Sequence, residues 1–148
     1  MAEPNAHTTV DWNHAHQWSV RVYFEDTDAG GVVFYANYLK FMERARTEWL
    51  RALGVEQQPL LATQDIGFVV AGLDMRYVSP ARLDDLLTVQ TTVTQVRRAS
   101  LNFAQRVVLF DKVLAHGNIR VGCVKLSTLR PSALPTELQQ KFSQPDRN

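Results

Sequence analysis

Apolar and polar residues alternate from Gln17 to Phe24, with Trp18, Val20, Val22 and Phe24 on one side and Ser19, Arg21 and Tyr23 on the other. That period of two predicts a strand with one buried face. The period then lengthens. After Asn37, placed to cap a helix, Tyr38, Met42, Ala45, Trp49 and Leu53 recur at spacings of three and four, and Gly54 stands where a C-terminal stop belongs. Leu39, Phe41 and Leu50 widen this stripe beyond what a surface helix needs, so the helix is expected to be wrapped by a sheet. Residues 55–65, with Pro59 and the polar Gln57-Gln58 and Thr63-Gln64-Asp65, read as a loop. Alternation resumes at Phe68 and Val70, and Leu73, Met75 and Tyr77 keep it only if one residue is skipped near Gly72, the mark of a β-bulge. Strands follow over Leu87 to Val93, Leu101 to Leu109 and Val113 to Leu126, with turns at Arg97-Arg98 and Asp111-Lys112. Connections this short predict antiparallel hairpins.

One strand, one long apolar helix and four further strands make an α+β domain, a curved antiparallel five-stranded sheet around a central helix. The expected domain spans residues 17–130. Residues 1–16 read as a disordered tail, and 131–148 as a second tail with a short helical turn at Thr136 to Phe142. So small a layer is expected to complete its core against a second copy, as a homodimer or homotetramer.

Composition narrows the partners. The 148 residues fit one domain, and 16 Lys plus Arg nearly balance 15 Asp plus Glu, so overall charge makes no case for nucleic acid or an anionic membrane. From Arg76 to Arg130, however, nine Lys or Arg face three Asp, which fits either a phosphorylated ligand or a solvated surface. Cys123 is the only cysteine, which excludes an internal disulfide and a cysteine-based zinc cluster; its apolar run predicts a small buried hydrophobe. His14-Ala-His16 has no carboxylate or cysteine at ligand spacing, so no metal is expected there. No basic and then apolar leader is legible at Met1 to Trp18, and no segment approaches the ~18 apolar residues of a membrane span. A cytoplasmic location is expected.

The chemistry concentrates between Tyr23 and Tyr38. Glu25, Asp26 and Asp28 crowd three carboxylates into four residues between apolar flanks, ahead of the Ala29-Gly30-Gly31 turn and the helix. Such crowding costs electrostatic energy that a plain turn has no reason to spend. A calcium loop fails, because Gly30 and Asn37 stand where it needs its third acid and its bidentate Glu. A Gly-x-Ser-x-Gly elbow is absent, and the glycine turn lacks the spacing and Lys of a phosphate loop. What remains is a carboxylate beside a helix N-terminus. Free amides near Tyr35 to Asn37 can polarise a carbonyl, a nearby carboxylate can attack it or deprotonate a water, and so weak a nucleophile suits an activated acyl group such as a thioester. Gly30 and Gly31 would let backbone or ligand approach with no Cβ in the way.

Val22 to Leu50, with Tyr23-Phe-Glu-Asp-Thr-Asp-Ala-Gly-Gly-Val-Val-Phe-Tyr-Ala-Asn-Tyr38 and then Phe41-Met-Glu-Arg-Ala-Arg-Thr-Glu48, resembles the signature of the 4-hydroxybenzoyl-CoA thioesterase family of hotdog-fold acyl-CoA thioesterases, nearest its Tol–Pal-associated branch. The resemblance covers about residues 17 to 130. It implies the hotdog fold, hydrolysis of an acyl-CoA to an acid and free CoA, and no metal or redox cofactor. It also implies Asp28 as catalytic carboxylate and the Tyr35 amide as donor to the thioester carbonyl. Many members of that branch carry His where this chain has Tyr35, so an imidazole role is excluded. Some hotdog enzymes place a catalytic Glu on the helix, which makes Glu43 the minor candidate. Otherwise Glu43, Arg44, Arg46 and Glu48 have the spacing of intrahelical ion pairs. For the coenzyme, Arg82, Arg97 and Arg98 at strand ends are candidates for the phosphates, and Tyr77 and Ser79 for the pantetheine arm. Two alternatives stay open: a non-catalytic module binding acyl thioesters or acyl carrier protein, and a hotdog hydroxyacyl-thioester dehydratase, whose chemistry pairs a carboxylate with a His.

Overall fold

A computed structural model describes residues 10–143; residues 1–9, with His7, and 144–148 lie outside it. The expected first tail is therefore tested only in part. Trp12–His14 forms a 3-10 turn whose Asn13 amide donates to the Asp11 carboxylate, and strand β1 (His16–Arg21) starts before residue 17. Phe24 does not extend the buried face of β1. The chain turns out of the sheet at Tyr23 into a 3-10 turn, Phe24–Asp26, and leaves the Phe24 ring exposed.

Helix α1 (Asn37–Ala52) follows the apolar stripe and buries Tyr38, Phe41, Met42, Ala45 and Leu50. Full burial of each large side chain stabilises the fold by about 1.5–3 kcal/mol. Residues 57–64 are not a loop but a second helix, α2 (Gln57–Gln64), ending at Asp65 in the left-handed region. Pro59 is its third residue, where a missing N–H removes no intrahelical bond.

Strands β2 (Ile66–Tyr77), β3 (Leu86–Val96), β4 (Ser100–Leu109) and β5 (Lys112–Lys125) complete the sheet in the order β1-β3-β4-β5-β2, all antiparallel, and the two-residue β6 (Arg130–Pro131) pairs with β5. The bulge falls at Ala71, between the Val70–Val121 and Gly72–Arg120 pairs. Among the five long strands, β3–β4 and β4–β5 are the hairpins. β2 does not pair with β3; residues 78–85 cross the end of the sheet instead, tied down where the Val33 amide donates to the Ala81 carbonyl.

One inward row, Trp18–Val89–Val107–Ala115–Tyr77, crosses all five strands. Helix α1 lies against this concave face, chiefly over β1 and β3, so the part formed by β2 and β5 is less covered. Residues 131–143 are not a free tail. Leu134 and, from α3 (Thr136–Ser143), Leu138 and Phe142 enter the core, and the Phe142 ring packs 5.2 Å from Trp49.

Candidate active site

The acidic segment folds on its own backbone. Asp26 Oδ2 accepts the Tyr23 amide at 2.8 Å, and the Asp26 carbonyl accepts the Phe34 amide at 3.0 Å and Asn37 Nδ2 at 2.8 Å. Asn37 is thus the first helical residue, and its side chain ties α1 to the acidic turn rather than capping it. Thr27 and Val33 then pair as an antiparallel bridge, and the Asp28 amide donates to the Val32 carbonyl at 2.9 Å. Asp28 to Val32 is therefore the tip of a small hairpin, with Gly31 at φ +83°. Only glycine enters that region at little cost.

At the tip, Asp28 Oδ1 accepts the Gly30 amide at 2.8 Å and the Val32 amide at 3.4 Å. Among the described residues Asp28 Oδ2 meets no donor, and Asp28 is exposed. The carboxylate is thus oriented through one oxygen and open through the other. At the hairpin's root the Asn37, Tyr38 and Leu39 amides donate to the Phe34, Tyr35 and Ala36 carbonyls. The amides that meet no acceptor among the described residues are those of Tyr35 and Ala36, so Asn37 drops out of the expected donor set.

Aromatic side chains gather beside these amides. The Tyr35 ring lies 4.9 Å from Phe34 and 6.1 Å from Tyr77, and Tyr77 lies 5.4 Å from Tyr38. The buried Tyr38 hydroxyl oxygen accepts the Ala81 amide at 3.0 Å. Burial raises the Tyr38 and Tyr77 phenol pKa values above the usual range. The Ser79 amide donates to the Leu114 carbonyl at 3.1 Å, and Arg82 pairs as a β-bridge with Val32 of the hairpin. Asp28, Gly30, Gly31, Tyr35, Tyr77, Ser79 and Arg82 therefore gather at one end of the sheet.

Arg97 and Arg98 do not join them. They lie beyond the far end of β3, about 30 Å along the strand from Leu86. Arg97 Nη2 donates to Gln95 Oε1 and the Arg98 carbonyl accepts the Leu134 amide. No basic rim linking them to Arg82 forms within one chain. A different basic row crosses the outer face, where Arg76, His116 and Arg106 stand directly opposite one another on β2, β5 and β4. Their phase on each strand carries that signal, but no linear motif does.

Arg46 also departs from its expected surface role. Its Nη1 donates to Oε1 of the fully buried Gln105 at 3.0 Å, and Gln105 Nε2 donates to the Met42 carbonyl and to Thr91 Oγ1. Burial lowers the Arg46 pKa, with the Glu43 charge opposing the shift. The ion pairs on this helix are instead those of Arg51 with Glu48 and Glu56. Cys123 is buried as expected, and burial raises its thiol pKa. Among the described residues, no cluster of three or more His, Cys, Asp or Glu side chains is placed to hold a metal, and no helix is long and apolar enough to cross a membrane.

Residues 30–116 match the family model described as the thioesterase superfamily, beginning two residues after Asp28. The chain belongs to the thioesterase superfamily. The family read from the Val22–Leu50 signature is thus the one the comparisons show, and with it the hotdog fold. Among the relatives of this thioesterase, an acyl-CoA thioesterase YbgC from Haemophilus influenzae is 46% identical over 130 residues, covering 88% of this chain and 96% of the relative. The long-chain acyl-CoA thioesterase FadM of Escherichia coli is 32% identical over 111 residues, covering 74% and 83%. A probable thioesterase from Bartonella henselae superposes with a TM-score of 0.79 at 31% identity, covering 82% of this chain and 99% of that one.

Proposed function

We propose that this thioesterase hydrolyses an acyl-CoA to a carboxylic acid and free CoA, with Asp28 as the reacting carboxylate and the Tyr35 amide supporting the oxyanion. The observation that carries the reading is an oriented carboxylate with one free oxygen on a hairpin that leads into α1 through Tyr35 and Ala36, whose amides, just ahead of the helix, meet no acceptor among the described residues. Charge develops on the carbonyl oxygen as the tetrahedral intermediate forms, and amides held ready at a helix N-terminus stabilise it without reorganising. Asp28 then acts in one of two ways. As general base it takes a proton from water, hydroxide adds to the carbonyl, and the thiolate leaves. As nucleophile it forms an anhydride with release of thiolate, and water hydrolyses that anhydride in a second step.

A second copy completes the cleft in this reading. β2 pairs on one side only, and Val70, Leu73 and Tyr77 are exposed along its free edge. A free apolar edge of this length calls for a partner. Two-fold antiparallel pairing about the middle of β2 would bring the Tyr77 end of one chain, with its Asp28 hairpin, to the Ile66–Val70 end of the other. Arg82, beside the hairpin, is the residue proposed to meet a CoA phosphate; Tyr77 and Ser79 flank the pantetheine arm.

A hydrolysis panel from short aliphatic to aromatic acyl-CoA, read by release of free thiol, tests the proposal. Turnover of at least one thioester is expected. A protein that binds acyl-CoA and releases no thiol from any of them would instead be a docking module.

A further inference from the structure

The first turn of α1 is attached to the Asp28 hairpin at two places, by side chains that are neighbours in sequence. Asn37 Nδ2 donates to the Asp26 carbonyl at 2.8 Å, and the same oxygen accepts the Phe34 amide at 3.0 Å, so both of its lone pairs are used. Tyr38 reaches the other strand of the hairpin through the crossing segment. Its hydroxyl oxygen accepts the Ala81 amide at 3.0 Å, and the Ala81 carbonyl accepts the Val33 amide at 2.9 Å. Asn37 therefore ties the strand that leads into Asp28, and Tyr38 the strand that returns from Gly31.

These ties enclose the two amides that meet no acceptor. Phe34 and Asn37 both donate to one oxygen, and Tyr35 and Ala36 lie between them. That oxygen belongs to Asp26, two residues before the carboxylate. The helix itself does not call for the arrangement. Asn at a helix start ordinarily accepts a first-turn amide through its side-chain oxygen. Here the N-cap is Ala36, with no side-chain cap bond, and Asn37 turns its donor back across eleven residues. The hairpin does call for it. Its strands pair through the Thr27–Val33 bridge, and so short a two-stranded ribbon is marginal alone. The Val32–Arg82 bridge adds a hold on the crossing segment, which Tyr38 in turn fastens to α1.

We propose that Asn37 and Tyr38 are positioning residues for hydrolysis, which together fix the distance and direction from the Asp28 carboxylate to the Tyr35 and Ala36 amides. The inference rests on the acyl-CoA thioesterase reading and adds two side chains that act through the hairpin rather than on the thioester. A carbonyl held by those amides and attacked from Asp28 needs both in place at once, and a misplacement of about 1 Å costs about a hundredfold in rate.

Asn37→Leu keeps the branched shape and removes the donor, Asn37→Ala serves if the leucine is not tolerated, and Tyr38→Phe removes the hydroxyl alone. For Asn37→Leu, kcat on the best acyl-CoA of the panel is expected to fall about tenfold to a hundredfold with KM within about threefold, because misplaced reacting groups slow the chemical step and leave ground-state binding intact. Added to Asp28→Asn, the same change is expected to cost less than about threefold more, since residues that act as a unit do not lose rate independently. Amide hydrogen exchange read by NMR tests the ties without turnover. Asn37→Leu is expected to speed exchange at Phe34 and Tyr38→Phe at Val33, each by at least about tenfold, with the Met42 and Ala45 amides of α1 unchanged. Full kcat in an Asn37→Leu protein whose Phe34 amide has loosened overturns the positioning role. So does a multiplicative loss in the double variant, the mark of a residue that acts on the fold or on binding. Unchanged exchange at Phe34 in Asn37→Leu, or at Val33 in Tyr38→Phe, overturns the assignment of that residue. Wild-type protein that hydrolyses none of the thioesters would remove the thioesterase reading alone, and the exchange comparison would still decide whether these side chains hold the hairpin.

Discussion

The amide of Gly30 donates to Asp28 Oδ1 at 2.8 Å, so the backbone two residues on aims the carboxylate that precedes it. A Cβ built on Gly30 would sit 3.3 Å from that same oxygen, tighter than an ordinary van der Waals contact. Gly30→Ala should therefore turn the carboxylate with little effect on folding. The expected result is a fall in kcat of about tenfold to a hundredfold, the scale on which small misplacements act, with Tm nearly unchanged. Unchanged kcat would mean that this orientation is immaterial to the reaction.

Gln105 is fully buried, accepts from Arg46 and donates to Thr91 and the Met42 carbonyl. Gln105→Leu keeps most of the volume and leaves Arg46 and Thr91 short of a partner inside the protein. Loss of a buried network member predicts destabilisation of about 2–4 kcal/mol, read by urea unfolding. A change below about 0.5 kcal/mol would show that water replaces the amide without cost.

Alternation carried β1, β3, β4 and β5 because one face of each packs on the core, it carried β2 although Val70, Leu73 and Tyr77 stay exposed in one chain, and the period change at Asn37 carried α1. The bulge was legible near Gly72 for the same reason: a one-residue slip sends every later side chain to the opposite face. What the pattern hid has local causes. Phe24 keeps the alternation, yet the Asp26 carboxylate draws the Tyr23 amide into a turn that ends the strand. Pro59 reads as a breaker but sits in the first turn of α2, where it is harmless. The Arg46–Gln105 network joins residues 59 apart, and helical spacing alone points Arg46 toward the surface ion pairs it does not make. The turn at Ala29-Gly30-Gly31 was legible because its residues are contiguous, whereas the pairing of Thr27 with Val33 across it was not. Nor was the separation of Arg97 and Arg98 from Arg82, because it depends on which end of β3 each link leaves.

The exposed edge of β2 gives a test of assembly. Leu73→Asp puts a charge on an apolar position that is 46% exposed in one chain. Analytical ultracentrifugation is expected to find the wild-type protein as a dimer or larger and the variant as a monomer, with thioester hydrolysis lost in parallel. A monomeric variant that keeps full activity would show that one chain builds the whole site.

His16 on β1 has a buried Nδ1 with no partner. Burial lowers its pKa below the ordinary 6.5, and the nearby Glu48 charge only partly offsets this. The unfolded chain therefore binds a proton more readily than the folded one. The stability contribution of the neutral ring is complete above pH 6.5 and is lost as pH falls from there toward the lowered folded value. Tm should drop between about pH 7.5 and pH 5.5, and His16→Gln should show a smaller drop over that window. Parallel curves for the two proteins would remove His16 from the account.

Asp28→Asn preserves the shape of the hairpin tip and an acceptor for the Gly30 amide, and removes the charge that attacks the thioester or activates water. The decisive measurement is the steady-state rate of CoA thiol release by this variant from the best acyl-CoA of the panel, with KM determined beside it. The account predicts a fall in kcat of about a thousandfold or more with KM within a few-fold of wild type, because removing a reacting group lowers the rate without loosening ground-state binding. A variant that retains a tenth or more of the wild-type kcat would contradict it.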